Sequence, residues 1–352
     1  MESNRHSAAL STSAVDDQNL IKGVERLTVD NTPETADAEF ERVTPPMSGA
    51  AGTKPIRAKA PSGLPTNPVT WHGHLMQPDW DPPILVASSQ EEARPGYISC
   101  IASEYFDTKA TLARKVKVLA HLIRKSKQCC VYTGAGISTT TGVGDYASKA
   151  KGSKAPHLAG NGSAGGNRLS AAPAQSHHCL AALERKGHVK HWLQQNHDRL
   201  AQKAGFPQAK LNEIHGAWGD DKNPVLMMDD KLRPDMIRWM QQWESQADLC
   251  LAMGTSLCGM TADVVAEGVA HRFMQGEAGL LGLCIINLQQ TPYDDRCALR
   301  IWGLLDDVLK LLAKELKVKV PNPECQRLGN QWVSKHPNCL YKTPVRKATD
   351  PI

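Results

Sequence analysis

The segment from Cys129 to Ser138 constrains this chain more than any other. Apolar and β-favouring residues run through Thr133 straight into Gly134-Ala135-Gly136, then Ile137-Ser138. A strand that turns on two glycines lets the backbone approach a pyrophosphate, and aims the first amides of the following helix at negative charge. Thr139 stands where the third glycine of the usual dinucleotide fingerprint belongs. The word therefore departs from the dehydrogenase pattern, and an ordinary strand-to-helix turn stays open on these residues alone.

Neighbouring segments build the same kind of unit. Leu112, Val116, Leu119 and Ile123 recur at helical spacing, with Arg114, Lys115, Lys117 and Arg124 on the other faces, so an amphipathic helix leads into the strand Cys129–Thr133. Ser176 is the expected N-cap of a helix His177–Lys186 closed by Gly187, followed by a strand Val189–Leu193 that ends in Gln194-Gln195-Asn196. A strand Asp248–Met253 runs into Gly254-Thr255-Ser256 and a small-residue helix around Ala262–Ala270. Cys284–Asn287 is a further strand, and Asp306 or Asp307 is the expected cap of a last helix, Val308–Leu316. Strands alternating with helices, with polar or glycine words at their carboxyl ends, predict an α/β fold. It is a Rossmann-like parallel sheet with helices on both faces and a ligand site along the strand ends.

Composition sets the limits. The chain has 352 residues, 41% of them apolar, enough for one large α/β domain or two smaller ones, with part of the chain left outside the core. Residues 1–104 are the expected disordered extension, 105–316 the folded domain, and 317–352 a basic tail. Within the domain, 149–168 reads as a flexible glycine-rich insert near the glycine turn, and 219–244 as a short connection in which Trp239 and Trp243 pack. Seven basic residues against Glu324 and Asp350 give the tail a net charge of +5, equal to that of the whole chain. A solvated terminus and a weak contact with nucleic-acid phosphates both fit that charge. The chain begins without the apolar segment of a secretory signal, and no apolar run reaches a membrane span, so a soluble protein with no membrane partner is expected. The ten cysteines form neither C-x2-C nor C-x4-C. Buried thiols in a reducing compartment, and no metal site, are the expectation.

Five words in order carry a resemblance. Thr133-Gly134-Ala135-Gly136-Ile137-Ser138, Gln195-Asn196-His197-Asp198, His215-Gly216, Gly254-Thr255-Ser256 and Ile286-Asn287-Leu288-Gln289 are together similar to the sirtuins, across about Phe106 to Leu316. Asp145-Tyr146 and the run Asn287–Asp295, then Ala298–Gly303, resemble class IV, the nuclear and chromatin-associated branch. The resemblance implies NAD-dependent removal of acyl groups from protein lysines, histones included, with the acyl group passed to ADP-ribose and nicotinamide released. It implies His215 as the base, with Asn196 and Asp198 orienting the leaving carboxamide. Gly134, Ala135, Gly136 and Ser138 would hold the phosphates and ribose of NAD. Gly254, Thr255 and Ser256 would hold phosphate and ribose from a second strand end, and Asn287 the adenosine ribose. Asp145, Tyr146 and Gln195 complete the implied cofactor set. Residence in the nucleus, or otherwise the cytoplasm, is the matching expectation.

The chain also departs from that pattern. Gly144-Asp145-Tyr146-Ala147 replaces a Pro-Asp-Phe/Tyr-Arg word and removes a cation from the cofactor loop. No cysteine stands between His215 and Cys250, so the zinc module that sirtuins carry there looks deleted and the small domain reduced. Leu232–Ile237 keeps the family's approach to the acyl-lysine strand, but Trp239-Met240-Gln241 stands in place of Phe-Gly-Glu. A deacylase is the first reading. ADP-ribosyl transfer or NAD hydrolysis, and an inactive NAD-binding or chromatin-interaction module, are the alternatives.

Overall fold

The computed structural model describes residues 66–145, 147–155, 171–227, 230–321, 325–328 and 331–334. Residues 156–170, which include most of the insert expected at 149–168, and most of the basic tail lie outside these.

At the centre is a six-stranded parallel sheet of β3 (Cys129–Thr133), β4 (His191–Gln194), β5 (Leu211–Glu213), β6 (Leu249–Met253), β7 (Gly282–Ile286) and β8 (Leu299–Ile301), after two earlier strands, β1 (Ile84–Ala87) and β2 (Glu104–Phe106). The order across it is β5-β4-β3-β6-β7-β8. The chain moves outward from β3 in one direction, then returns to β3's other side. The order thus reverses between β3 and β6, where open α/β sheets place their ligands.

Both faces of the sheet are covered, which is why its strands read as continuous apolar runs rather than alternating ones. Side chains still alternate by the two-residue period. Cys129, Val131, Leu249, Leu251, Met253, Cys284 and Ile286 belong to one buried cluster; Cys130, Tyr132, Cys250, Ala252, Leu283 and Ile285 belong to the other. Helices α2 (Lys109–Lys125), α3 (Gln175–Arg185) and α7 (Leu305–Glu315) supply the first cluster. Helices α5 (Pro234–Gln246) and α6 (Val264–Met274) supply the second. The short helices α1 (Pro68–His72) and α4 (Leu200–Lys203) are the others among the described residues, and β9 (Cys325–Leu328) pairs antiparallel with β10 (Gln331–Ser334).

Several expectations are corrected. Structure begins well before residue 105: Asn67 caps α1, and the following Leu75 N–H donates to the Ala298 carbonyl beside β8. Leu75 and Trp80 are buried in the core, so a Pro-rich segment without periodicity still contributes single large side chains. Residues 1–65 lie outside the described set.

Lys115 is not on an outer face of α2. It is fully buried, its Nζ 2.6 Å from Asp107 Oδ1 and 3.2 Å from the Trp71 carbonyl it donates to. Ser176 lies inside α3, whose N-cap is Ala174; the Ser176 amide instead donates to Asp306 Oδ1 at 2.8 Å. Asp306 and Asp307 fall in the first turn of α7, with Leu304 as N-cap, so Asp306 stitches two helices instead of closing one. The strand expected over Val189–Leu193 runs His191–Gln194, in register with Cys130–Thr133 of β3. The chain beyond Gly136 forms two 3-10 turns, Ala135–Ile137 and Thr139–Thr141, rather than a long helix. β-Branched Thr139, Thr140 and Thr141 are poor helix formers, and left-handed Gly142 (φ 83°) ends the run.

Candidate active site

At the topological switch the two glycine words meet face to face. The Gly136 amide donates to the Gly254 carbonyl at 2.8 Å, and Gly254 N–H to the Ile286 carbonyl at 3.0 Å. A Cβ on Gly136 would lie 2.7 Å from the Gly254 Cα, and Gly254 itself has φ +57°. A Cβ on Gly134 would lie 2.9 Å from Gln195 Oε1, the Gly254 carbonyl oxygen and Thr255 Cβ. Glycine is required here for close approach of backbone to backbone. Gly136→Ala is expected to lower stability by about 1–3 kcal/mol, because the obstructing atoms are backbone and cannot yield. An unchanged denaturant midpoint for that variant would contradict the tight contact.

Beneath this cradle is a buried polar network. Ser138 Oγ donates to Asp198 Oδ2 at 2.6 Å, and the Leu200 amide donates to Asp198 Oδ1 at 2.9 Å. Asn196 Nδ2 donates to both the Gly134 carbonyl and Ser138 Oγ at 3.1 Å. Three residues from two separate words are thereby locked together. Burial pushes the Asp198 carboxyl above its usual range, opposed by the Ser138 hydroxyl and the Leu200 amide. Through the Leu200 amide, Asp198 also holds the start of α4, whose N-cap is Arg199. Arg199 adopts the left-handed region at φ 60°, and its guanidinium reaches the Trp218 and Gly219 carbonyls at 3.4 Å.

His215 follows β5. Its Nδ1 lies 3.1 Å from the Gln195 carbonyl oxygen, which can only accept, so Nδ1 carries the proton and Nε2 is the basic nitrogen. Burial lowers its pKa from 6.5, opposed in part by the Gln195 carbonyl, and nearby His197 lowers it a little further. The turn behind it needs glycine: Gly216 has φ +82°, and a Cβ there would lie 2.0 Å from the Pro224 carbonyl oxygen. The His197 ring, 6.3 Å from the His215 ring, places Nδ1 3.1 Å from the Gly216 carbonyl oxygen. The ends of β4 and β5 are therefore cross-tied by two imidazoles.

On the far side of the switch, Asn287 Nδ2 donates to the Thr255 and Gln289 carbonyls at 3.2 Å, joining the end of β7 to the Gly254-Thr255-Ser256 turn. Ala135, with Gly136 and Ile137, forms the 3-10 turn above it. Asp145 has local partners only among its hydrogen bonds: its carboxylate accepts from the Ala147 and Ser148 amides and the Ser148 hydroxyl. Tyr146 lies outside the described residues. The loop that lacks the expected arginine is held another way. Gln289 Nε2 donates to the Ala147 carbonyl at 2.8 Å, while buried Glu104 accepts from the Ser153 hydroxyl and the Lys154 amide. Neither Glu104 nor Gln289 is marked for this role by its sequence neighbours.

One expected feature has a different form. Leu232–Ile237 leads into helix α5, with Pro234 at its first turn. Trp239 and Met240 are buried within that helix, and the His191 ring stacks on Trp243 at 4.7 Å. Helical backbone has its hydrogen bonds satisfied internally, so Trp239-Met240-Gln241 offers no free edge to an extended peptide. Among the described residues no group of three His, Cys, Asp or Glu side chains is placed to hold a metal ion.

The model of the Sir2 family matches residues 164–221. The NAD-dependent protein deacetylase SRT1 of Oryza sativa subsp. indica is 30% identical over 261 residues, covering 62% of this chain and 51% of that protein. The NAD-dependent protein deacetylase sirtuin-7 of Bos taurus is 28% identical over 262 residues, covering 62% of this chain and 64% of that one. The chain thus spans about half the length of the plant relative. A solved structure described as "Structure of Sir2Tm bound to a propionylated peptide" is 24% identical, with a TM-score of 0.46, and covers 58% of this chain and 100% of its own.

Proposed function

We propose that this chain is a member of the sirtuin family, to which its matched segment and its relatives belong, and that it is an NAD-dependent protein-lysine deacylase. The observation that carries this reading is the gathering of the glycine cradle, the Ser138–Asp198–Asn196 network and His215 along the carboxyl ends of neighbouring strands β6, β3, β4 and β5.

The residues present fit NAD. The facing Gly136 and Gly254 leave a surface of bare backbone that a Cβ would fill, suited to a pyrophosphate. Gly134, Ala135, Gly136 and Ser138 would hold phosphate and the nearer ribose, while Gly254, Thr255, Ser256 and Asn287 would hold the adenosine side. Asp145 and Gln195 would complete the set with Tyr146, which lies outside the described residues. When bound, NAD would supply an electrophilic ribose carbon, nicotinamide as a leaving group and ADP-ribose as the acyl acceptor. Asn196 and Asp198 orient the leaving carboxamide, and the hydrogen bonds that each makes with Ser138 Oγ fix them before ligand arrives. His215 takes a proton at Nε2, its ring held by the Gln195 carbonyl through Nδ1.

The relevant substrate is an acyl-lysine in a protein, and we place histones first among candidates and the nucleus as the compartment. The support is the similarity to class IV sirtuins and the basic composition of 317–352, a tail that also suits weak contact with nucleic acid. A second reading, ADP-ribosyl transfer or NAD hydrolysis, is favoured by one observation: α5 occupies the sequence position where the resemblance implies a peptide-pairing strand.

The test incubates the protein with NAD and acetyl-lysine peptides while nicotinamide and deacetylated peptide are followed. Release tied to peptide conversion supports deacylation. Release without peptide supports the second reading, and no release in either arm overturns both. A pH profile adds a sign. Because the His215 pKa lies below 6.5, the base is neutral at pH 7 and above. Expected kcat/KM is flat with respect to this group from pH 7 to 8 and falls as pH drops through the lowered value. A loss already complete at pH 7 would contradict the assignment.

A further inference from the structure

Asp263 stands in the 3-10 turn Thr261–Asp263 that leads into α6, and its side chain is buried beside Tyr132 of β3 and Gln195 after β4. Its two oxygens do different things. Oδ2 accepts the Gly259 amide at 2.9 Å and the Met260 amide at 2.8 Å, closing the loop that follows Gly254-Thr255-Ser256. Oδ1 accepts the Tyr132 hydroxyl at 2.6 Å and Gln195 Nε2 at 3.3 Å. Gln195 Nε2 also donates to the Tyr132 hydroxyl oxygen.

The polarity of this cluster has one solution. An ionised carboxylate can only accept, so the Gln195 NH2 group, not its oxygen, must face Asp263. Tyr132 spends its proton on Asp263 and offers its lone pair to the same NH2 group. Both amide hydrogens are thereby taken, and Gln195 Oε1 is turned toward the Gly134 turn, 2.9 Å from where a Cβ there would sit. Burial, with Glu267 nearby, pushes the Asp263 carboxyl to about 6, so it is mainly ionised above pH 7 and keeps this pattern. A loop-stapling role would use Oδ2 alone and leaves the two Oδ1 contacts without a purpose.

We propose that Asp263 is a positioning residue for the cofactor: through Tyr132 it fixes the Gln195 amide so that an acceptor oxygen faces the ligand. This rests on the assignment of NAD to the glycine cradle. A ligand hydroxyl gains from that orientation, whereas an amide free to rotate would present a donor half the time and lose the prepaid ordering.

The experiment is a double-mutant cycle read as NAD affinity by calorimetry at pH 7.5, with Asp263→Asn, Gln195→Ala and the pair. Each single change is expected to weaken NAD binding about tenfold, and the pair also about tenfold, since Asp263 acts only through Gln195. Tyr132→Phe is expected to weaken binding by about threefold, and it tests the same link should Asp263→Asn fail to fold. Full NAD affinity in folded Asp263→Asn, or in Tyr132→Phe should Asp263→Asn not fold, overturns the inference. So does a pair whose losses multiply to about a hundredfold. If the unaltered protein binds no NAD, the cofactor reading falls and this inference with it, an outcome distinct from either of those.

Discussion

Replacing His215 with alanine is expected to reduce peptide-dependent nicotinamide release by about 10²–10⁴-fold, the usual contribution of a positioned general base. The geometry defines why the loss should fall on turnover rather than on binding. The imidazole is held by a single backbone acceptor, the Gln195 carbonyl, and makes no side-chain hydrogen bond to the Ser138–Asp198–Asn196 network. Removing it leaves that network and the glycine cradle intact. NAD affinity measured by calorimetry should therefore stay within a few-fold of the unaltered protein while kcat collapses. His215→Asn is a useful companion, because an amide can keep the Gln195 contact yet has no basic nitrogen. It should be as inactive as the alanine variant. If His215→Asn retained more than about a tenth of the rate, a base role for His215 would be excluded.

Lys115→Met should cost about 3–5 kcal/mol of stability, because it leaves the Asp107 carboxylate buried without its cation. Both side chains are fully buried and lie 2.6 Å apart. Burial pushes the Lys115 pKa down to about 8 and that of Asp107 up, so neither charge is comfortable without the other. The pair also sets a joint. Lys115 Nζ donates to the Trp71 carbonyl, and Asp107 Oδ2 accepts the Trp302 amide at 2.9 Å, so the segment around α1, helix α2 and the chain after β8 meet on it. The measurement is urea unfolding with the slope checked for constancy. Converting both partners, Lys115→Met with Asp107→Asn, should recover most of the loss, because an apolar and an amide side chain carry no uncompensated charge. A midpoint for Lys115→Met equal to that of the unaltered chain would show that the pair contributes nothing.

These two residues mark the two kinds of legibility in this chain. His215 is legible because it sits in a short word, His215-Gly216, whose glycine the turn demands: φ is +82° and a side chain would strike the Pro224 carbonyl. Asn196, Asp198, Gly134, Gly136 and Gly254 share that property. Each stands at or near a strand's carboxyl end, where local sequence dictates the turn, and the parallel sheet then gathers the ends. Lys115 gives no such sign, since a lysine on an amphipathic helix reads as solvent-facing until Asp107 and Trp71 are brought against it. The same holds for Asp263, whose four donors come from Tyr132, Gln195, Gly259 and Met260. Trp239-Met240 misleads in the opposite direction. The resemblance implies a strand edge there, but Pro234 starts a helix whose apolar side chains join the cluster beneath β6 and α6.

By itself, the sequence determined the alternation of strands and helices, the apolar strand interiors and the glycines at β3 and β6. Those depend on backbone conformation and on burial of a whole strand, which neighbouring residues decide. Only the tertiary structure decided which polar side chains became partners. It put Ser138 on Asp198, turned the Gln195 oxygen toward Gly134, tied the arginine-less loop to Glu104 and Gln289, and drew Leu75 and Trp80 into the core. A buried polar atom must be satisfied by whatever donor the fold brings within about 3 Å. That donor commonly lies far away along the chain, where no local pattern records it.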